Sequence, residues 1–180
     1  CNSYYVHTFN RFINQDRFSS VEAGFQHWYD QVRQFGFGRR LGIDLPNEKK
    51  GDLPKAKYYN ELYGEGRWGA STVISLGIGQ GEIGATTLQL ANYASILANR
   101  GYYYTPHLGK KIKGTDTAYK PQYEKTGVPG DSADFQPVVD AMYDVVEKGT
   151  GRYYGQIEGI KVCGKTGTAQ NPHGEDHSLF

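Results

Sequence analysis

A lysine, a threonine and a glycine stand together near the end of the chain, at Lys165-Thr166-Gly167, and Thr168 follows them. The lysine supplies a fixed positive charge for a substrate carboxylate and for protons near a nucleophile. The glycine has no side chain, so a ligand can approach the backbone closely. On a strand, the N–H and C=O of Thr168 can pair with an extended peptide, and that N–H can stabilise an oxyanion. The segment is therefore a candidate site for binding an extended peptide through its carboxylate, and the alternative is a solvated Lys-Thr-Gly segment on an edge strand.

Two nucleotide-binding patterns compete with this interpretation. Residues 79–84 fit G-x-G-x-x-G between an apolar segment and a helix, as in a dinucleotide site. The acidic residue that should follow about 20 positions later is missing, since residues 102–111 contain no Asp or Glu. Residues 159–166 fit G-x-x-x-x-G-K-[ST], but their middle favours a strand, and a turn follows where a phosphate loop needs a helix. A tight turn under a helix and a glycine-flanked strand are therefore preferred, and a P-loop nucleotide binder is a remote alternative.

Other reactive side chains form no clear site. His173 and His177 have a spacing that a metal could use, but the proline and glycine around them favour a solvated turn, so neither a metal nor another cofactor is predicted. Cys163 lies beside the Lys-Thr-Gly segment and is expected to be a buried structural thiol. With Cys1 as the only other cysteine, the chain has no disulfide framework.

Five amphipathic helices are predicted to position these residues, over residues 3–14, 20–35, 56–63, 86–100 and 134–148. Capping-box spacing marks two helix starts, at Ser19 to Glu22 and at Thr86 to Gln89. Glycines are expected at the helix ends, for example Gly101. The predicted inward stripes of the second, fourth and fifth helices are Val21, Phe25, Trp28 and Val32; Leu90, Ala94 and Leu97; and Phe135, Val138, Met142 and Val145.

Extended segments are predicted between and after the helices. The apolar run at residues 71–78 indicates a strand or another buried segment, and a short strand is possible at residues 41–43. Residues 102–108 are expected to be extended, and residues 109–133 polar and irregular. Residues 159–169 are predicted to be the strand that carries Lys165, followed by a turn at residues 171–174 and a further strand.

Composition narrows the class of protein. The 180 residues include 20 Lys and Arg against 19 Asp and Glu, a net charge of +1, which argues against a nucleic-acid partner. No apolar run approaches the roughly 18 residues of a membrane-spanning helix. The 24 glycines and 15 tyrosines indicate many turns and an aromatic-lined surface.

Four runs, taken together and in this order, resemble class B penicillin-binding proteins, most closely those of the elongation type, the penicillin-binding protein 2 group. They are GFG with LGIDLP within residues 36–46, GIGQG with TTLQLA within residues 77–91, RGY with PHL within residues 100–108, and GKTGTAQ at residues 164–170. The resemblance covers essentially the whole chain, and several elements in a fixed order are more specific than either nucleotide motif.

The resemblance implies roles for individual residues. The family uses S-x-x-K, which contains the nucleophile, S-x-N and K-T-G, of which only K-T-G is complete here, since residues 1–180 contain no S-x-x-K. The first two residues look like the end of S-x-N, which would make Asn2 the substrate-binding asparagine as well as a helix-starting residue. Lys165 and Asn2 would be catalytic, and Thr166, Gly167 and Thr168 would bind substrate.

The implied fold is the α/β (α+β) fold of serine β-lactamases and D,D-transpeptidases, an antiparallel sheet flanked by helices and incomplete in this chain. Residues 1–180 would be part of one transpeptidase domain. This part would lack the upstream nucleophile helix and the downstream sheet strands. The implied activity of the intact protein is peptidoglycan D,D-transpeptidation without a cofactor, with a non-catalytic cell-wall-binding module as the alternative. The implied partners are peptidoglycan stem peptides, β-lactams and membrane proteins of an elongation complex, at the bacterial cell membrane with the catalytic domain on its periplasmic side.

Overall fold

The computed structural model of the chain describes residues 2–109, 123–171 and 173–180. Its elements in chain order are α1 (Asn2–Ile13), α2 (Val21–Gln34), α3 (Ala56–Tyr63), α4 (Ala70–Val73), a 3₁₀ helix (Ile74–Ile78), α5 (Thr87–Ala98), β1 (Tyr102–Tyr104), β2 (Lys125–Gly127), α6 (Ser132–Glu147), α7 (Arg152–Gly155), β3 (Gly167–Ala169) and β4 (His177–Leu179). No helix in these ranges is long and apolar enough to cross a membrane.

The five predicted helices are confirmed, with every end within two residues of its predicted position. The capping box at the start of α5 is also confirmed, because Gln89 N donates to Thr86 Oγ1 (3.2 Å) and Thr86 N donates to Gln89 Oε1 (2.9 Å). The predicted cap of α2 is wrong by one residue. Ser20 takes the extended backbone of an N-cap, and its Oγ accepts from Ala23 N at 3.1 Å.

Two of the predicted inward stripes are displaced. On α5, Leu97 is buried as expected, but Leu90 is only half-buried and Ala94 is exposed. The buried face of α5 consists of Gln89, Asn92, Ile96 and Leu97. It includes Gln89 because its side chain, 1% exposed, bonds to the backbone of the loop that follows α2.

On α6, two of the four predicted inward residues are replaced by the residue that follows each of them in the sequence. Phe135 is buried and Met142 is half-buried as predicted, whereas Val138 is 43% exposed. Val146, which was not predicted, is fully buried. The residues that pack inward are Phe135, Val139, Met142 and Val146, a set with helical spacing.

The strand predictions need more correction. Residues 71–78 form α4 and the 3₁₀ helix, which is the buried alternative and not the strand, and residues 41–43 form no strand. Only Gly167–Ala169 of the predicted strand 159–169 is a strand. Of the predicted extended segment 102–108, the first three residues form β1. Of the segment 109–133, which was expected to be irregular, residues 110–122 lie outside the described ranges and Lys125–Gly127 form β2. Residue 172 of the predicted turn is also outside them, and the strand after the turn is confirmed as β4.

The strands form two separate antiparallel pairs in the described ranges, where one sheet was expected. In the first pair Tyr103 of β1 lies opposite Thr126 of β2. In the second pair Thr168 of β3 lies opposite Ser178 of β4. The described chain is therefore a set of helices with two small antiparallel sheets, and the Lys-Thr-Gly segment leads into the second sheet.

Two apolar clusters hold the helices together. The first joins α1, α2, α3, α4 and the 3₁₀ helix through Phe9, Ile13, Phe25, Ala56, Tyr59, Val73 and Leu76. The second joins α5, β1 and α6 through Ile96, Leu97, Tyr103 and Phe135. The side chains of Phe25, Tyr59 and Val73 are fully buried, so their contacts remove a large apolar area from water.

Two carboxylates fix the irregular loop between α2 and α3. Glu48 accepts hydrogen bonds from Leu41 N (2.6 Å) and Gly42 N (2.9 Å). Asp44 accepts from Leu108 N (2.9 Å) and Gly109 N (2.6 Å), which ties this loop to the segment after β1. These backbone hydrogen bonds lower the pKa of Asp44, because they favour its charged form. The LGIDLP run therefore serves as a structural clamp.

Candidate active site

The Lys165 ammonium lies at the surface, immediately before β3. Lys165 is exposed, and its Nζ donates to the carbonyl oxygen of Thr166 at 2.6 Å and lies 3.5 Å from Thr166 Oγ1. Both partners are uncharged, and among the described residues no carboxylate forms an ion pair with Lys165. The positive charge is therefore available to an anionic ligand.

Another lysine, Lys148, forms an ion pair within its own helix. Lys148, at the end of α6, donates from Nζ to Asp144 Oδ1 at 3.0 Å. This hydrogen bond, with the charge of Asp144, raises the pKa of Lys148. Lys148 is thus paired within its own helix, so Lys165 is the better candidate for binding a substrate carboxylate.

The backbone before Lys165 is anchored to α6. Gly164 is buried, and its N–H donates to the carbonyl oxygen of Met142 at 3.1 Å. A Cβ atom on Gly164 would lie 2.8 Å from Cε2 of Phe180, closer than two carbon atoms can pack. The glycine that precedes Lys165 therefore lets α6 and Phe180 fix the start of the site.

Thr166 has a hydroxyl neighbour that sequence reasoning missed. Thr150 Oγ1, in the connection between α6 and α7, lies 3.2 Å from Thr166 Oγ1, and either hydroxyl can be the donor. Gly149 and Gly151 flank Thr150 in the sequence. A small, polar, glycine-flanked residue between two elements was the available signal, since such positions often bring a hydroxyl close to another backbone segment.

Thr168 is contacted by the glycine-rich loop that follows the 3₁₀ helix. Gln80 Nε2 donates to the carbonyl oxygen of Thr168 at 3.3 Å, across 88 residues of sequence. Residues 77–81 are the GIGQG run of the family resemblance, and none of them is among the predicted site residues. The structure brings this loop to β3, one residue beyond Gly167 of the Lys-Thr-Gly segment.

Asn2 is the first residue of α1 and is exposed. In the part of the chain that the structure describes, no hydrogen bond joins Asn2 to Lys165, Thr166 or Thr168. The connection is indirect: α1 packs on the 3₁₀ helix, and the loop after that helix contacts Thr168. Cys1, which would occupy the middle of S-x-N, lies outside the described ranges.

The letters K-T-G occur a second time, at Lys125-Thr126-Gly127. This copy is β2, in the other sheet, and Lys125 Nζ lies 3.8 Å from the ring centroid of Tyr102 in a cation–π contact. The two copies share residue types but have different neighbours. Lys125 therefore provides a matched control for Lys165.

The structure does not support either nucleotide-binding pattern. A 3₁₀ helix, not a strand, precedes residues 79–84, and Gly84 exchanges two backbone hydrogen bonds with Asp52 (2.7 and 2.9 Å). Residues 161–166 have no regular structure, and β3 follows them where a phosphate loop requires a helix.

The prediction of a buried Cys163 thiol is wrong, because Cys163 is exposed. His173 lies in the turn before β4, and His177 lies on β4 opposite Ala169. Within the described ranges, no group of three or more His, Cys, Asp or Glu side chains is placed to hold a metal ion.

A cleft between α2, the loop that follows it and α3 lies away from these groups. Its volume is about 1300 Å³, and Tyr29, Arg39, Lys50, Asp52 and Glu82 are among its lining residues. None of Lys165, Thr166, Gly167 or Thr168 lines it. The chemistry of the Lys-Thr-Gly segment, and not cavity size, identifies the candidate site, which is an exposed strand edge suited to an extended peptide.

Comparison with known proteins supports the same interpretation. Residues 1–178 match the family model of the penicillin binding protein transpeptidase domain. Peptidoglycan D,D-transpeptidase MrdA of Acinetobacter baumannii is 35% identical over 151 residues, which are 83% of this chain and 22% of that protein. The chain thus spans about a quarter or less of the length of its curated MrdA relatives.

Solved structures share the fold. The crystal structure of Pseudomonas aeruginosa PBP2 in complex with WCK 5153 superposes with a TM-score of 0.76 at 30% identity, covering 99% of this chain and 38% of that one. The complex between PBP2 and MreC from Helicobacter pylori gives 0.74 at 26% identity, covering 98% and 30%. The chain belongs to the transpeptidase domain family of class B penicillin-binding proteins, with elongation-type PBP2 and MrdA proteins among its most similar relatives.

Proposed function

We propose that the protein containing this chain is a peptidoglycan D,D-transpeptidase and that residues 1–180 form part of its transpeptidase domain. The observation that carries the proposal is the Lys165-Thr166-Gly167-Thr168 segment at the surface, where the exposed ammonium group of Lys165 donates to neutral oxygens of Thr166. Fixed contacts with α6, Thr150 and Gln80 hold the segment. Such a preorganised cation beside a strand edge suits a peptide that ends in a carboxylate.

The proposed reaction has two steps. A serine outside these 180 residues attacks the carbonyl carbon of the penultimate D-Ala of a stem peptide. The C–N bond to the terminal D-Ala then breaks, and that residue leaves with a proton on its new amine. The amine of a second stem peptide attacks the resulting ester; the cross-linking amide bond forms, the bond to the serine oxygen breaks, and a proton from the attacking amine restores the serine hydroxyl.

The residues of this chain would bind and orient the donor peptide. Lys165 and the hydroxyls of Thr166 and Thr168 would contact its terminal carboxylate, and Lys165 would also join the proton network of the nucleophile. Gly167 would let the peptide lie against β3, and the N–H of Thr168 would serve as an oxyanion donor. Asn2 would bind substrate at the start of α1. No cofactor is required.

The same site would bind β-lactams, which mimic the D-Ala-D-Ala end and leave a slowly hydrolysed acyl-enzyme. The family description as penicillin binding supports this assignment. The complex between PBP2 and MreC from Helicobacter pylori supports a protein partner of the MreC kind, which we propose to be a membrane protein of an elongation complex. We propose that the protein is anchored in the bacterial cell membrane and that its catalytic domain lies on the periplasmic side.

The test is labelling of the full-length protein with a fluorescent penicillin. We expect a covalent adduct on the wild type, at least a tenfold slower reaction for Lys165→Ala, and an unchanged rate for the matched variant Lys125→Ala. The 180 residues alone should remain unlabelled. A full-length wild type that folds but takes no label would instead favour a non-catalytic wall-binding module.

A further inference from the structure

Gln80 reaches β3 from a loop distant in sequence. Its side-chain amide donates to the carbonyl oxygen of Thr168 at 3.3 Å. Thr168 is the middle residue of a three-residue strand, which pairs with β4 through Ser178. A strand this short has few hydrogen bonds of its own, so one further bond to its central carbonyl is a large part of what fixes its orientation.

The loop that carries Gln80 has a defined conformation. Gly79 and Gly81 have φ values of 73° and 80°, in the left-handed region that glycine adopts readily. Gln80 N donates to the carbonyl oxygen of Ser75 at 3.1 Å, which closes the loop on the 3₁₀ helix. A Cβ atom on Gly81 would lie 2.8 Å from Ser75 Oγ. These contacts hold the loop in a conformation that directs the side chain of Gln80 towards β3.

The other side of the loop rests on α1. A Cβ atom on Gly77 would lie 2.5 Å from Cβ of Phe9. The backbone of the 3₁₀ helix therefore packs directly against α1, with no room for a side chain at Gly77. Leu76 is 2% exposed and Phe9 is 5% exposed in the first apolar cluster. A continuous path of contacts therefore runs from the helix that begins at Asn2, through this loop, to Thr168.

We infer that Gln80 is a positioning residue for the acyl-transfer site: by holding the carbonyl of Thr168, it fixes the orientation of β3 relative to α1. The inference rests on the proposed function, because it assumes that β3 presents the N–H of Thr168 to the substrate. Gln80 acts through Thr168 and need not touch the substrate. Its loss should slow acylation and leave the fold intact, since Gln80 is only half-buried and lies outside both apolar clusters.

The experiment compares acylation rates by fluorescent penicillin in the full-length wild type, Gln80→Ala, Gln80→Glu and the control Gln156→Glu. We expect about a fivefold loss for Gln80→Ala, since a neutral hydrogen bond contributes about 0.5–1.5 kcal/mol, or roughly two- to tenfold. Gln80→Glu should lose about tenfold or more at pH 7, because its carboxylate cannot donate and repels the carbonyl of Thr168. Gln156 is exposed beyond α7, so the control should match the wild type.

The pH profile separates positioning from a general loss of structure. A protonated glutamate can donate a hydrogen bond, so the rate of Gln80→Glu relative to wild type should rise as the pH falls towards about 4.3. Melting temperatures of all variants should agree within about 2 °C, a shift that corresponds to less than 1 kcal/mol.

Three outcomes would overturn the inference: equal rates for wild type and Gln80→Glu, a relative rate that does not change with pH, or a melting temperature that falls enough to explain the slower labelling. In each of them the wild type still reacts with penicillin, and the proposed function stands. A wild type that does not react would reject the proposed function itself.

Discussion

The side-chain oxygens of Thr150 and Thr166 lie 3.2 Å apart, although 16 residues separate them in sequence. Thr150 belongs to the connection between α6 and α7, and Thr166 is the middle residue of the Lys-Thr-Gly segment. Because Lys165 Nζ also lies 3.5 Å from Thr166 Oγ1, the two threonines and the lysine form one short polar row. Thr150 therefore orients a hydroxyl that the proposed mechanism assigns to the substrate carboxylate.

Replacing Thr150 with valine should slow acylation of the full-length protein by about two- to tenfold, the equivalent of one neutral hydrogen bond. Valine keeps the shape of threonine and removes the hydroxyl. Thr150→Ser retains the hydroxyl and should stay close to wild type when rates are measured with a fluorescent penicillin. If the serine variant is as slow as the valine variant, the hydroxyl contact is not the cause.

Replacing Gln89 with alanine should lower the free energy of unfolding by about 3 kcal/mol. Its Nε2 donates to the carbonyl oxygens of Gly36 (3.2 Å), Arg39 (3.0 Å) and Lys50 (2.7 Å). Removing the amide leaves these acceptors without their donor in a site that water cannot readily reach. Urea denaturation of the full-length protein measures the change. Gln34→Ala, at the exposed end of α2, should shift it by no more than about 0.5 kcal/mol; equal losses would contradict the prediction.

Replacing Gly77 with alanine should destabilise the fold by about 1–3 kcal/mol through overpacking. The added methyl group would lie 2.5 Å from Cβ of the buried Phe9, so α1 and the 3₁₀ helix would have to separate. The matched control is Gly127→Ala, since no atom lies within 4 Å of the added methyl group there. Thermal denaturation should rank Gly77→Ala well below the control, and the reverse order would exclude the steric explanation.

The clamp formed by Asp44 should depend on pH. Its pKa is lowered by hydrogen bonds from Leu108 N and Gly109 N, so the folded state binds this proton less readily than the unfolded state does. The stabilisation is therefore complete above the ordinary aspartate pKa of about 3.9 and is lost as the pH falls through the lowered pKa.

Denaturation at a series of pH values should show this effect as a stability difference between wild type and Asp44→Asn. The difference should be constant from neutral pH down to the ordinary aspartate pKa and should shrink below it. A difference that is already lost near pH 6 would assign the effect to another group.

Cys163 should react with a maleimide in the native protein, because its side chain is exposed. Peptide mass mapping in a Cys1→Ser background locates the label, and the reaction should be as complete before denaturation as after it. A bulky adduct two residues before Lys165 should also slow penicillin acylation. Labelling that requires denaturant would restore the interpretation of a buried thiol.

Local sequence signals predicted the helices of this chain well. The ends of α3 at Ala56 and Tyr63 and the capping box of Thr86 and Gln89 depend on residues within one or two turns of each other. The same signals failed where the partner lies far along the chain. Gln89 is buried on α5 because of carbonyl groups 39 to 53 residues away, a relationship that helical spacing cannot contain.

The motif residues show the same division. The Lys165-Thr166-Gly167-Thr168 segment and its family could be recognised from residue types in a fixed order, because the chemistry of binding a peptide carboxylate restricts those types. The identical letters at Lys125-Thr126-Gly127 show that residue type alone does not make a site. The fold places one copy against Thr150 and Gln80 and the other against Tyr102.

The sequence by itself thus determined the five longer helices and the family, and it indicated four residues suited to bind a peptide carboxylate. Only the tertiary structure decided that the strand begins at Gly167, that Cys163 is exposed, and that Thr150 and Gln80 contact the Lys-Thr-Gly segment and Thr168. The physical reason is the range of the interactions. Helix formation and capping act between neighbours in sequence, whereas strand pairing, burial and side-chain contacts to a distant backbone exist only after the chain has folded.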